Sequence, residues 1–143
     1  MTVRMDNVGI VVENLKATIA FFVELGLVLE GETTVEGASV DRTVGLDGVR
    51  SDIAMLRTPD GQSRLELSKF HTPPATAIEP NAPVNRLGMG RIMFAVDDID
   101  DVLARLQARG ATLIGDVTQY EDMYRLCYIR GPEGVIIALA QEL

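Results

Sequence analysis

The chain has 143 residues, 47% of them apolar and none in a low-complexity tract, which fits one folded domain over 1–143 and excludes a disordered segment. Its 13 basic and 21 acidic side chains leave a net charge of −8. That balance excludes the phosphate-neutralising surface of a nucleic-acid binder and argues against an anionic membrane. No apolar run is long enough to span a bilayer, and the N-terminus lacks the apolar core of a signal peptide. Cys127 is the only cysteine, so neither an intrachain disulfide nor a thiolate metal cluster is available, and a reducing cytoplasm is the expected location.

In chain order, Asn7–Val12 is a β-branched apolar run that predicts a strand. Asn14 stands where a helix N-cap belongs, and Leu15, Ile19, Phe22 and Leu25 follow at helical spacing up to Gly26. Residues 27–35 predict a second strand, and 37–48 a short helix or an ordered loop. Strands over 51–57 and 62–69 are joined by Thr58-Pro-Asp-Gly61, a strong turn signal. Residues 70–87 carry four of the six prolines and no periodicity, so they read as a connector between a first module (about 5–69) and a second (about 88–143). The second module predicts a strand over 91–97, a helix over 99–109 between Asp98 and Gly110, and a strand over 111–117. It ends in a pair, 123–130 and 134–141, turned by Gly131-Pro-Glu-Gly134.

The two modules are one pattern written twice. A shift of 84 sets Val8 on Ile92, Ile10 on Phe94, Phe22 on Leu106, Gly26 on Gly110 and Gly31 on Gly115 without a gap. The unit is β-α-β-β-β, occurring twice. The fold class is therefore α+β, with one helix covering one face of each sheet. The same shift sets Asn7 on Arg91.

Several residues with chemical capacity have a plainer reading. His71, the only histidine, stands in the expected connector as a surface residue. Asp97, Asp98, Asp100 and Asp101 gather where carboxylates cap a helix and meet its positive end. Cys127 reads as a small buried hydrophobe. Tyr124, Leu126 and Tyr128 alternate onto one strand face, opposite Arg125, Cys127 and Ile129; the tyrosines are either core packing or a wall of a ligand cleft. Arg64, Glu66 and Ser68 alternate with Leu65 and Leu67, which makes Glu66 part of a wet strand face on the pattern alone.

Asp6–Val12 with Ile19–Phe22, Leu65-Glu-Leu67, Arg91–Asp98 and Gly131–Leu139 together resemble the vicinal oxygen chelate superfamily, which holds glyoxalase I, bleomycin-resistance proteins and extradiol dioxygenases. The resemblance implies two tandem βαβββ modules forming a cup-shaped half-open barrel, and a homodimer, for which exposed sheet edges are the only incentive in the sequence. Its metalloenzymes draw one ligand from the first and one from the last strand of each module. The matching positions here are Asn7, Glu66, Arg91 and Ala138, of which only Glu66 keeps a ligand's chemistry. An arginine among them would repel a cation, so no metal and no other cofactor is expected. The resemblance places Glu66 and Arg91 in the cup, there to bind a small molecule with Asn7, Tyr124 and Tyr128. The alternative is a metal-independent isomerase or lyase, with Glu66 as base and Arg91 stabilising charge. A metal-dependent glyoxalase or dioxygenase, third, requires donors outside the matching positions.

Overall fold

The computed structural model describes residues 2–143. They divide into two compact units, one ending at Ala77 and one beginning at Ile78, and each holds one copy of the repeat.

The first unit runs β1 (Val8–Val11), α1 (Leu15–Leu25), β2 (Val28–Glu36), α2 (Ala38–Val44), β3 (Arg50–Arg57) and β4 (Arg64–Thr72). The strands lie in the order β1-β4-β3-β2, with β1 parallel to β4 and the other neighbours antiparallel. Val8 pairs with Leu65 and Ile10 with Leu67, so these four point to one face. On that face Ile10, Leu65, Leu67, Leu56 and Ala54 are buried together with Phe21, Phe22 and Leu25 of α1. Asn14 starts the helix as expected, its Oδ1 accepting from the Ala17 amide at 3.0 Å. The inward stripe of α1 differs from the expected one: Thr18 and Phe21 are buried with Phe22 and Leu25, while Leu15 and Ile19 are half-buried. Thr18 tolerates the interior because its hydroxyl donates to the Asn14 carbonyl at 2.8 Å.

The second unit runs β5 (Ile92–Ala95), α3 (Ile99–Gln107), β6 (Thr112–Tyr120), β7 (Tyr124–Arg130), a single 3₁₀ turn (Pro132–Gly134) and β8 (Ile136–Glu142). Its order β5-β8-β7-β6, with β5 parallel to β8, repeats that of the first unit. Ile99, Val102, Leu103 and Leu106 of α3 are buried, as are Ile137, Leu139, Cys127 and Ile129 of the sheet.

The repeat extends to single hydrogen bonds. Leu27 N donates to Phe22 O at 2.9 Å, and Ala111 N to Leu106 O at 3.1 Å. Each bond follows a glycine with positive φ, Gly26 at 129° and Gly110 at 95°, a conformation that costs a residue with a Cβ. The last helical turn of α3 closes at Ala108, before Gly110.

Several expected boundaries move, two of them at the ends of β4. Gln62 and Ser63 belong to the turn, where the Gln62 amide donates to Asp60 Oδ1 at 2.9 Å. Residues 70–72, expected in the connector, are strand: β4 stays paired with β3 through Thr72, whose hydroxyl donates to Gly48 O at 2.8 Å. The segment 37–48 is helical over α2, and Asp41 then accepts from the amides of Gly48 and Val49.

Candidate functional site

In each unit the helix covers one sheet face, so strand alternation decides which side chains remain for a ligand. In the first unit, Gly9 pairs with Glu66 and Val11 with Ser68, on the face turned away from α1. Met55 pairs with Glu66 on the same face. Glu66 is half-buried there. Within its own unit, among the described residues, no cation engages it: Arg64 is 3.1 Å from Glu30, and Lys69 bonds Glu13. Asn7 precedes β1 by one residue, is half-buried, and donates from Nδ2 to Asp6 Oδ2 at 2.8 Å.

His71 lies on β4, not in the connector. Its Nε2 is 2.7 Å from Asp52 Oδ2, and Asp52 Oδ1 accepts from the Thr34 hydroxyl at 2.7 Å. The His71 hydrogen bond, followed by that of Thr34, holds the Asp52 carboxyl below the ordinary carboxylate range. This three-strand link was invisible in the sequence, because β3 and β4 bring together residues 19 apart.

In the second unit, Arg125, Cys127 and Ile129 face α3. Arg125 reaches Asp100 of that helix with hydrogen bonds of 2.9 and 3.0 Å, which keep the Asp100 carboxyl below its ordinary range and the guanidinium above its own. Burial pushes the Cys127 thiol up, as suits a small apolar residue and not a nucleophile. The neighbouring carboxylates are likewise engaged: Asp98 Oδ1 caps α3 by accepting from Asp101 N at 3.1 Å, and Asp101 pairs with Arg105 at 3.0 Å.

Tyr124, Leu126 and Tyr128 therefore take the opposite face. Tyr128 pairs with Ala138 and Ala138 with Met93, so one row crosses β7, β8 and β5. Tyr124 stacks on Tyr120, with ring centres 5.7 Å apart and planes 20° from parallel. Arg91, just before β5, lays its guanidinium over the Tyr128 ring, Cζ lying 5.1 Å from the ring centre. Arg91 is exposed, and within its own unit, among the described residues, that ring is its partner in place of any carboxylate. Arg130, two residues beyond Tyr128 on the same strand face, was passed over in the sequence although its parity gave it away.

The four positions that hold metal ligands in the resembling enzymes fit a metal ion poorly. Arg91 brings a fixed positive charge, and Ala138 is fully buried with no donor. Asn7 has an amide nitrogen committed to Asp6. Glu66 alone offers a carboxylate. Among the described residues, no group of three or more His, Cys, Asp or Glu side chains stands close enough to hold a metal ion.

The family model of the Glyoxalase/Bleomycin resistance protein/Dioxygenase superfamily matches residues 4–139. A glyoxalase family protein from Bacillus cereus is 56% identical, with a TM-score of 0.96 over 100% of this chain and 96% of its own. Glyoxalase I from Leishmania major is 18% identical, with a TM-score of 0.67 over 99% of this chain and 88% of its own. An antibiotic-binding protein from a Streptomyces species is 20% identical, with a TM-score of 0.59 over 100% of this chain and 99% of its own. The last two likenesses concern the fold alone. No curated protein matches the chain.

Proposed function

The chain belongs to the Glyoxalase/Bleomycin resistance protein/Dioxygenase superfamily, and on that premise we propose that it binds a small molecule without a metal ion, Arg91 and Tyr128 forming the anchor. The observation that carries this reading is the Arg91 guanidinium lying over the Tyr128 ring, Cζ 5.1 Å from its centre, with no carboxylate partner in its own unit among the described residues. A guanidinium satisfied by a ring face and not by a carboxylate keeps N–H donors for a guest. Tyr124 on the same strand face is proposed to extend that anchor, and within the first unit Asn7 and Glu66 are proposed as ligand contacts of their own. The donor set supports the metal-free part, since a divalent ion wants at least three protein donors and no cation among them.

A thermal-shift screen of small molecules against the wild type and R91A tests the proposal. Ligands that raise the wild-type midpoint and lose most of that effect in R91A are expected. Stoichiometric nickel, zinc, iron or manganese in protein purified without chelators would overturn the metal-free part.

A second reading, a metal-independent isomerase or lyase, draws support from Glu66. A half-buried carboxylate that no cation in its own unit engages is available as a base beside a polarised carbonyl. An E66Q variant that keeps ligand affinity and loses turnover would favour it.

The work is proposed to take place in a reducing cytoplasm, by a homodimer. No helix is long and apolar enough to cross a membrane. Val28 and Leu29 on the edge strand β2 are exposed, which supports association, and sedimentation equilibrium measures it.

A further inference from the structure

The pairing registers set Arg91 beside a second arginine. Ile92 pairs with Ile137, so Arg91 falls in line with Ile136, and Ile136 pairs with Arg130. Arg91, Ile136 and Arg130 thus form one row on the face turned away from α3, the arginine Cα atoms about 10 Å apart across three strands. Both side chains are longer than half that distance.

Several cations of this acidic chain are already neutralised. Arg64 is on Glu30, Lys69 on Glu13, Arg105 on Asp101 and Arg125 on Asp100. Arg91 has the Tyr128 ring, and Arg130 donates from Nη1 to the Gly134 carbonyl at 3.3 Å. Within the unit, among the described residues, neither has a carboxylate partner. Glu142, an acidic group on that face, pairs with Tyr124 at the far end of β8, about 20 Å along the strand from Ile136. Two unmatched guanidinium groups in one row, in a chain of net charge −8, make a local field opposite in sign to that of the whole molecule.

We propose that Arg91 and Arg130 together hold the oxyanion of a small organic acid, whose apolar body lies against Tyr128 and the exposed Met93. The proposal rests on the reading that this face binds a small molecule, and it names the chemical class. A carboxylate matches the forked donors of a guanidinium, and a pair of forks matches its two oxygens. The apolar body is required because Met93, 47% exposed, flanks Tyr128 through Ala138 in the next row. A bare inorganic anion would leave that surface wet.

Titration calorimetry with benzoate, benzamide and inorganic phosphate tests the proposal. Benzoate is expected to bind the wild type at least about tenfold more tightly than its neutral isostere benzamide and than phosphate. R91Q and R130Q should each weaken benzoate about tenfold and leave benzamide unchanged. R130K, which keeps the charge but loses the fork, should fall between, and this guards against a variant that merely disturbs the Gly134 turn. Equal affinity for benzoate and benzamide, tighter binding of phosphate than of benzoate, no effect of R130Q, or no benzoate binding at millimolar concentration overturns the proposal. A neutral or cationic ligand from the screen that depends on Arg91 but not on Arg130 would sink this inference and leave the binding function standing. A screen with no Arg91-dependent ligand would sink the function itself.

Discussion

Arg125 of β7 grips Asp100 of α3 with both arms of its guanidinium, at 2.9 and 3.0 Å, on the strand face that also buries Cys127 and Ile129. With Arg125 turned to the helix, strand alternation sends Tyr124 and Tyr128 to the other face, where Arg91 meets the Tyr128 ring. The link also has a pH signature. Asp100 titrates below its ordinary range when folded, so it stabilises the fold above about pH 4 and that contribution is lost as pH falls through the depressed value. The difference in thermal midpoint between wild type and D100N is expected at pH 7 and should close in acid. A gap that persists unchanged to pH 2 would show that the pair contributes nothing through charge.

Phe21 meets Phe22 edge to face with ring centres 5.3 Å apart, and both are buried against the first sheet. Truncation to F21A should cost about 3–5 kcal/mol in urea unfolding, through lost transfer energy and the cavity left behind. A loss below 1 kcal/mol would mean that the helix repacks around the gap.

Gly134 is the tightest backbone approach in the second unit. A Cβ there would lie 2.4 Å from the Pro80 carbonyl oxygen, and the residue also has a φ of 76°. G134A should therefore destabilise by roughly 1–3 kcal/mol, more than G110A, where φ is 95° but nothing lies within 4 Å. Equal losses would assign the whole effect to backbone conformation.

Cys127 is 2% exposed, and burial raises its thiol above the usual range. It should resist a thiol-specific disulfide reagent at pH 8 in the native state and react fully in denaturant. Fast modification of the native protein would contradict the packing of β7 against α3.

Asn14 offers a smaller, local test. N14A removes the hydrogen bond to the Ala17 amide and should cost about 1 kcal/mol, with N14D largely sparing it.

The order of the strands and of the two longer helices, and the helix N-caps Asn14 and Asp98, were readable from residues. The physical reason is that they depend on local spacing. A period of two or near 3.6 fixes a face once one residue is placed, and the shift that equates Val8 with Ile92 carries every face into the second copy. That is why the division of Tyr124, Leu126 and Tyr128 from Arg125, Cys127 and Ile129 could be drawn before any coordinates. The end of β4 could not. Residues 70–72 look like linker beside two prolines, and only the pairing with β3 and the anchors from His71 to Asp52 and Thr72 to Gly48 keep them in the sheet.

Charge state is where tertiary structure decided most. Arg125 and Arg130 lie on one strand and look alike in sequence, yet one is neutralised by an aspartate 25 residues away and the other donates to the Gly134 carbonyl. Coulomb energy depends on distances across elements, which separation along the chain does not encode. The sequence by itself determined two sheets and two helix-covered faces, and set an arginine, Arg91, at the position equivalent to Asn7. The tertiary structure decided which of its cations remain unmatched, because only folding brings partners within a few ångströms.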